Sequence, residues 1–119
     1  MEELITIFVR LCKENKIEPQ QEILQKIRSQ CGGNDGILDL SNHSLNFGTC
    51  SVLGRALAHD LAIQTLLLND CMLDEICLKE LLTKLTQNSV IKTLDLRGNN
   101  IRQHGAESLG QFLKVSISL

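Results

Sequence analysis

The fold of this chain is decided by three stretches of nine residues, ILDLSNHSL at 37–45, TLLLNDCML at 65–73 and TLDLRGNNI at 93–101. Each begins 28 residues after the previous one, and they align without a gap. Their common pattern is L-x-L-x-x-[N/C]-x-L, with His43 in the sixth position of the first copy. A fixed period of this kind indicates a repeat protein, in which each unit is one supersecondary motif.

This pattern resembles the leucine-rich-repeat signature, whose units span about 20–29 residues. It is similar to the ribonuclease-inhibitor-like subtype, in which a short strand and a turn precede a full α-helix. The resemblance implies an α/β solenoid with parallel strands on its concave side and helices on its convex side. The period then divides residues 34–119 into three repeats, at about 35–62, 63–90 and 91–118.

Physical chemistry supports stacking of the three units. A single repeat cannot bury its own apolar stripe, so neighbouring units must cover each other. We expect the matched leucines to point inward and the strands to lie about 4.8 Å apart in a parallel sheet. Apolar residues at helical spacing follow the second and third strands, namely Leu78, Leu81, Leu82 and Leu85, and then Ala106, Leu109, Phe112 and Leu113.

Residues 1–33 do not follow the period. Leu4, Ile7, Phe8, Leu11 and Cys12 share one face of a predicted helix. A second helix is expected to start around Glu18-Pro19, because proline is tolerated in a first turn, and to end at Cys31-Gly32-Gly33. We interpret this hairpin as an N-terminal cap on the first repeat. The alternative is a separate pair of partner-binding helices.

At the other end, the period would start a fourth strand at Leu119, the last residue. We therefore expect an uncapped C-terminal end, as in a fragment or a short form of a longer array. An exposed end strand favours a further repeat or self-association.

Composition excludes several function classes. The chain has 119 residues, a formal net charge of -2 and an aromatic content of 3%. This predicts one small domain without the basic face or stacking surface of a nucleic-acid-binding protein. We expect no membrane span and no signal peptide, and thus a cytoplasmic or nuclear protein. Five cysteines without an export signal are expected to be reduced.

Beyond the repeats, the chain resembles a family of centrosome-linker proteins. The residues that carry this resemblance are Met1-Glu2-Glu3, Arg10-Leu11-Cys12, Glu18-Pro19-Gln20, Leu38-Asp39-Leu40, Thr49-Cys50, Asp70-Cys71-Met72-Leu73, 94–100 and Gly105-Ala106-Glu107. In that family the repeats precede a long coiled coil, which is absent here. The resemblance implies a non-enzymatic scaffold at the centrosome that supports centriole cohesion beside fibrous linker proteins such as rootletin.

The predicted binding surface is the concave sheet, where residues between the buried leucines face outward. We expect three rows there: Asp39, Leu67 and Asp95; Ser41, Asn69 and Arg97; and Ile37, Thr65 and Thr93. The centre is Leu67 between two aspartates, an apolar contact in a mixed-charge field. Alternatively, Leu67 is a singly exposed leucine, which needs no functional explanation.

Other chemistries are weaker interpretations. We expect the slot of His43, Cys71 and Asn99 to be buried and to bond the backbone of stacked turns, although His and Cys together would also suit a nucleophile pair. Metal-ligand spacings are absent, and the Gly98 turn lacks the Lys-[Ser/Thr] of a P-loop. We therefore expect no metal and no cofactor.

Two functional alternatives to a scaffold stay open. One is a regulator of a cytosolic enzyme, such as an inhibitor or a GTPase activator, although three repeats give little arc to wrap a globular target. The other is thiol catalysis, which requires a depressed pKa at Cys71.

Overall fold

The structure, a computed structural model, describes residues 3–30, 35–85, 90–99 and 114–117. These residues form a mixed α/β fold with four helices and one parallel sheet. The elements in chain order are α1 (Leu4–Glu14), α2 (Gln21–Gln30), β1 (Ile37–Asp39), α3 (Phe47–Ala58), β2 (Thr65–Leu67), α4 (Glu75–Leu85), β3 (Thr93–Leu96) and β4 (Lys114–Ile117).

The strands pair in the order β1-β2-β3-β4, and every pair is parallel. Leu38 pairs with Leu66, and Leu66 pairs with Leu94, so partners in the first three strands are 28 positions apart. This arrangement is compatible with a leucine-rich-repeat fold. The sheet alternates between buried leucines and more exposed residues in β1 and β2.

The fourth strand differs from the sequence-based expectation. We predicted the next strand at Leu119, whereas β4 begins at Lys114, which pairs with Thr93 only 21 positions earlier. The segment KVSI alternates β-branched residues with polar ones, a composition that favours a strand. The predicted third helical stripe, at 106–113, lies outside the described residues.

The core lies between the sheet and the helices. The matched leucines are almost completely buried, as are the apolar faces of α3 and α4. Close contact between these two helices depends on Gly54, because a Cβ at this position would lie 3.0 Å from the carbonyl oxygen of Leu81. Larger residues there would separate α3 from α4.

The turns after β1, β2 and β3 each contain a residue with positive φ. Asn42, Asp70 and Gly98 all have positive φ, at 69°, 55° and 80°. Glycine, asparagine and aspartate tolerate this left-handed region better than other residues do. At Gly98 the requirement is also steric, because a Cβ would collide with the carboxylate of Asp70.

The two N-terminal helices lie against the elements that follow them, α1 against α3 and α2 against β1. α1 packs on α3 and buries Leu4, Ile7, Phe8 and Cys12, whereas Leu11 is half-buried. α2 begins at Gln21, two residues after Pro19, so the proline lies near the first turn of the helix, within the predicted range. The side chain of Gln20, directly before the helix, bonds the loop before α3. The predicted helix end at Cys31-Gly32-Gly33 lies outside the described residues.

Candidate protein-binding surface

The open face of the sheet carries the rows that the sequence predicts. The strand register places Asp39, Leu67 and Asp95 side by side. It also aligns Ile37, Thr65 and Thr93. The row of Ser41, Asn69 and Arg97 is joined by hydrogen bonds between neighbouring turns. The N–H of Asn69 donates to the hydroxyl oxygen of Ser41 at 3.0 Å, and the N–H of Asp70 donates to the carbonyl of Arg97 at 3.0 Å.

Exposure varies strongly across this face. Asp39 is exposed, Ile37 is 38% exposed, and Leu67, Thr65 and Thr93 are half-buried. The centre of the open face is therefore moderately apolar, with β-branched and leucine side chains that are already held in place by the sheet. Such a surface can contact a partner with little loss of conformational entropy.

Asp95 corrects one sequence-based expectation. We expected an exposed aspartate beside Leu67, but the residue is only 6% exposed. Its carboxylate accepts hydrogen bonds from the guanidinium of Arg97 at 2.9 and 2.7 Å, and Arg97 remains exposed. Hydrogen bonds from Arg97 lower the pKa of Asp95 below its ordinary value of 3.8. Within this row, the aspartate that stays exposed beside Leu67 is therefore Asp39.

The edge of β1 that faces away from β2 is covered by a glutamine of α2. The side-chain amide of Gln30 donates to the carbonyl of Asp39 at 2.8 Å and accepts from its N–H at 2.7 Å. The amide thus occupies the backbone groups that a further strand would use. A second glutamine, Gln20, donates to the carbonyl of Ser44 at 2.7 Å and accepts from the N–H of Asn46 at 3.1 Å.

The inward slot holds the stacked turns together. The side chain of Asn99 accepts from the N–H groups of Cys71 and Leu73 and donates to the carbonyls of Leu68 and Leu96. One unit earlier, Cys71 Sγ donates to the carbonyl of Leu40 at 3.2 Å. Cys71 and Asn99 therefore form a ladder of side-chain bonds to turn backbone.

His43 departs from the expectation for this slot. Its side chain is 24% exposed, and its Nδ1 lies 3.3 Å from a carboxylate oxygen of Glu22. In place of a preceding repeat the first turn meets α2, so the imidazole pairs with that helix. A nucleophile pair with Cys71 receives no support from this geometry.

The described cysteines, Cys12, Cys50, Cys71 and Cys77, are free and buried. Burial raises the pKa of all four thiols above the ordinary value. Thiol catalysis requires the opposite shift at Cys71.

Among the described residues, no cluster of three or more His, Cys, Asp or Glu side chains could hold a metal ion. In the same part of the chain, no helix is long and apolar enough to span a membrane.

Sequence reasoning missed the two glutamines, because neither lies in a repeat or follows a period. It also missed three exposed apolar side chains near the starts of α3 and α4. These are Phe47, Met72 and Ile76, at 49%, 77% and 69% exposure. The 28-residue leucine pattern does not identify them, since only one of the three, Met72, lies within an aligned nine-residue stretch.

Comparisons with known proteins agree with the repeat pattern. No protein-family model matches the chain. Over its whole length the chain is similar to leucine-rich repeat-containing protein 45 of Gallus gallus, with 40% identity over 121 aligned residues. The chain spans 17% of the length of that relative. This match confirms the resemblance to a leucine-rich-repeat protein, and the implied centrosomal role stays a prediction.

Proposed function

The chain is a relative of leucine-rich repeat-containing protein 45, and on that premise we propose that it is a non-enzymatic protein-binding module. Leucine-rich-repeat proteins generally bind other proteins. The observation that carries the proposal is the open face of the parallel sheet, where Leu67 and Ile37 are ordered but only partly covered. Thiol catalysis has no support, since burial raises the pKa of Cys50 and Cys71.

We further propose that the chain forms a ribonuclease-inhibitor-like solenoid with a period of 28 residues. The 28-residue spacing between partners in β1, β2 and β3 supports this architecture, as does the ladder between Cys71 and Asn99. In this arrangement α1 and α2 cap the N-terminal end. Support comes from Gln30, which covers the edge of β1, and from Gln20, which joins α2 to the first loop.

The proposed concave binding surface consists of Asp39, Ser41, Thr65, Leu67, Asn69, Thr93, Asp95 and Arg97. Leu67 supplies the apolar contact, and Asp39 is the free charge beside it. Asp95 and Arg97 neutralise each other, so they contribute shape and hydrogen bonds more than net charge. This division favours a partner with an apolar side chain and a nearby cation.

The cellular setting we propose is the centrosome, within the cytoplasm. The family resemblance supports a linker component that promotes centriole cohesion, with rootletin as a candidate partner. Because the chain spans 17% of its relative, contacts made by the coiled-coil part of the family are outside this proposal. Self-association through β4 is a further proposal, supported by its place as the last strand in the order of the described sheet, where an edge strand can pair with another chain.

The alternative, a regulator of a cytosolic enzyme, has less support. The three strands of residues 37–96 present a short arc, which gives little surface to surround a globular enzyme. Adding the chain to a purified GTPase and measuring its turnover tests this alternative.

Proximity labelling tests the proposal. A labelling enzyme is fused to the 119-residue chain in cells, and the labelled proteins are compared with those of the same enzyme alone. Enrichment of centrosomal linker proteins supports the proposal. Labelling indistinguishable from the enzyme alone contradicts a binding module.

A further inference from the structure

One edge of the molecule gathers chain segments that are distant in sequence. Parallel strands all end at the same edge of their sheet, so the loops that leave β1 and β2 run side by side toward α3 and α4. Gln20 joins the start of α2 to the first of these loops through Ser44 and Asn46. We call this edge the strand-exit edge and define it as residues 17–22, 40–47 and 68–77.

The strand-exit edge is strongly acidic. Its carboxylates are Glu18, Glu22, Asp70, Asp74 and Glu75, and these three segments contain no lysine or arginine. The loop that leaves β3 beside them carries Arg97, whose guanidinium is paired with Asp95 at 2.7 Å. The whole chain, by contrast, has 12 basic and 14 acidic side chains. Folding therefore concentrates negative charge at one place on a nearly neutral molecule, which attracts cationic partners.

The same edge exposes apolar side chains. Five large apolar residues are exposed among the described residues, and three of them, Phe47, Met72 and Ile76, belong to the strand-exit edge. Phe47 and Ile76 lie in the first turns of the adjacent helices α3 and α4. Exposed apolar groups surrounded by charge of one sign are typical of a docking surface.

Met72 is the most exposed of these three side chains, at 77% exposure. The turn that carries it is held on both sides by hydrogen bonds. The carbonyl of Cys71 accepts from the N–H of Leu45 at 3.1 Å, and the N–H of Leu73 donates to the side chain of Asn99 at 3.0 Å. An ordered backbone therefore presents Met72 at the surface.

We propose that the strand-exit edge binds a basic amphipathic helix of a partner protein, separately from the concave surface. Apolar side chains of that helix contact Phe47, Met72 and Ile76, and its lysines or arginines pair with the surrounding carboxylates. Helix-in-groove recognition uses this division between an apolar stripe and flanking charge. An anionic membrane surface is disfavoured, because the carboxylates repel it, and two acidic edges likewise repel each other.

The probe is a fluorescent 18-residue peptide with leucine at helical spacing and lysine elsewhere, titrated into the 119-residue chain. The double variant Met72→Asn and Ile76→Gln removes the apolar contacts, and asparagine suits the backbone of residue 72 better than methionine does. We expect the Kd of the peptide to rise about tenfold or more. The control Leu61→Asn removes an exposed apolar side chain outside the strand-exit edge, at 61% exposure, and should change the Kd less than about twofold.

Charge and surface controls complete the test. A peptide with glutamate in place of lysine should not bind, and Glu18→Gln should weaken lysine-peptide binding more than Glu3→Gln does. Leu67→Asp should leave the peptide Kd unchanged, which separates this proposal from the concave one. Equal Kd values for the wild type and the double variant, or flotation of the chain with anionic phosphatidylserine vesicles, would overturn the proposal.

Discussion

The side-chain amide of Gln30 forms two hydrogen bonds with the backbone of Asp39, one to the carbonyl and one from the N–H. This amide satisfies the outer edge of β1 as a neighbouring strand would. A residue of α2 thereby covers the edge of the sheet at β1.

The variant Gln30→Leu should destabilise the fold. It keeps the size of the side chain but leaves two backbone groups of Asp39 without their partner, at a cost of about 1–2 kcal/mol. Urea denaturation measures the loss. The control Gln25→Leu, on the exposed side of α2, should change the free energy of unfolding by less than about 0.5 kcal/mol. Equal effects of the two variants would mean that the bonds to Asp39 carry no stability.

Asn99 should be a polar position at which substitution strongly destabilises the fold. Removing its side chain in Asn99→Ala leaves four backbone groups without a partner, and we expect a loss of roughly 2–4 kcal/mol. Asn99→Cys should be less damaging, because Cys71 in the same slot donates to the carbonyl of Leu40. If cysteine is no better than alanine in thermal denaturation, the slot does not act as a ladder.

The period in the sequence predicted the three strands, their register and the inward leucines, because burial on one face of a stacked sheet imposes that spacing. It could not predict Gln20 or Gln30, since a glutamine that bonds distant backbone leaves no periodic signal. The burial of Asp95 was also missed. Alternation along a strand predicts an outward side chain, whereas the cover that Arg97 provides depends on the folded turn.

The ion pair of Asp95 should make stability dependent on pH. Because Arg97 lowers the folded-state pKa of Asp95, its stabilisation is complete above the unfolded value of 3.8 and is lost as the pH falls through the folded pKa. Asp95→Asn should therefore reduce stability at pH 7 and flatten the loss of stability below about pH 4. Urea midpoints measured from pH 7 to pH 2 test this, and parallel curves for both proteins would contradict it.

Native Cys71 and Cys50 should resist alkylation. Burial raises both thiol pKa values, so little thiolate exists near neutral pH. Iodoacetamide should label these residues slowly in the native chain and rapidly in urea, as followed by peptide mass spectrometry. Labelling of native Cys71 as fast as a free thiol would revive thiol chemistry at this site.

The open face of the sheet is the surface on which the proposed function depends. The most direct measurement is proximity labelling with Leu67→Asp, set against Leu61→Asp, in which an exposed leucine outside the sheet receives the same charge. Circular dichroism first establishes that both variants are folded. We predict that Leu67→Asp loses the enriched partner proteins and that Leu61→Asp retains them. Retention of every partner by folded Leu67→Asp would contradict binding through this face.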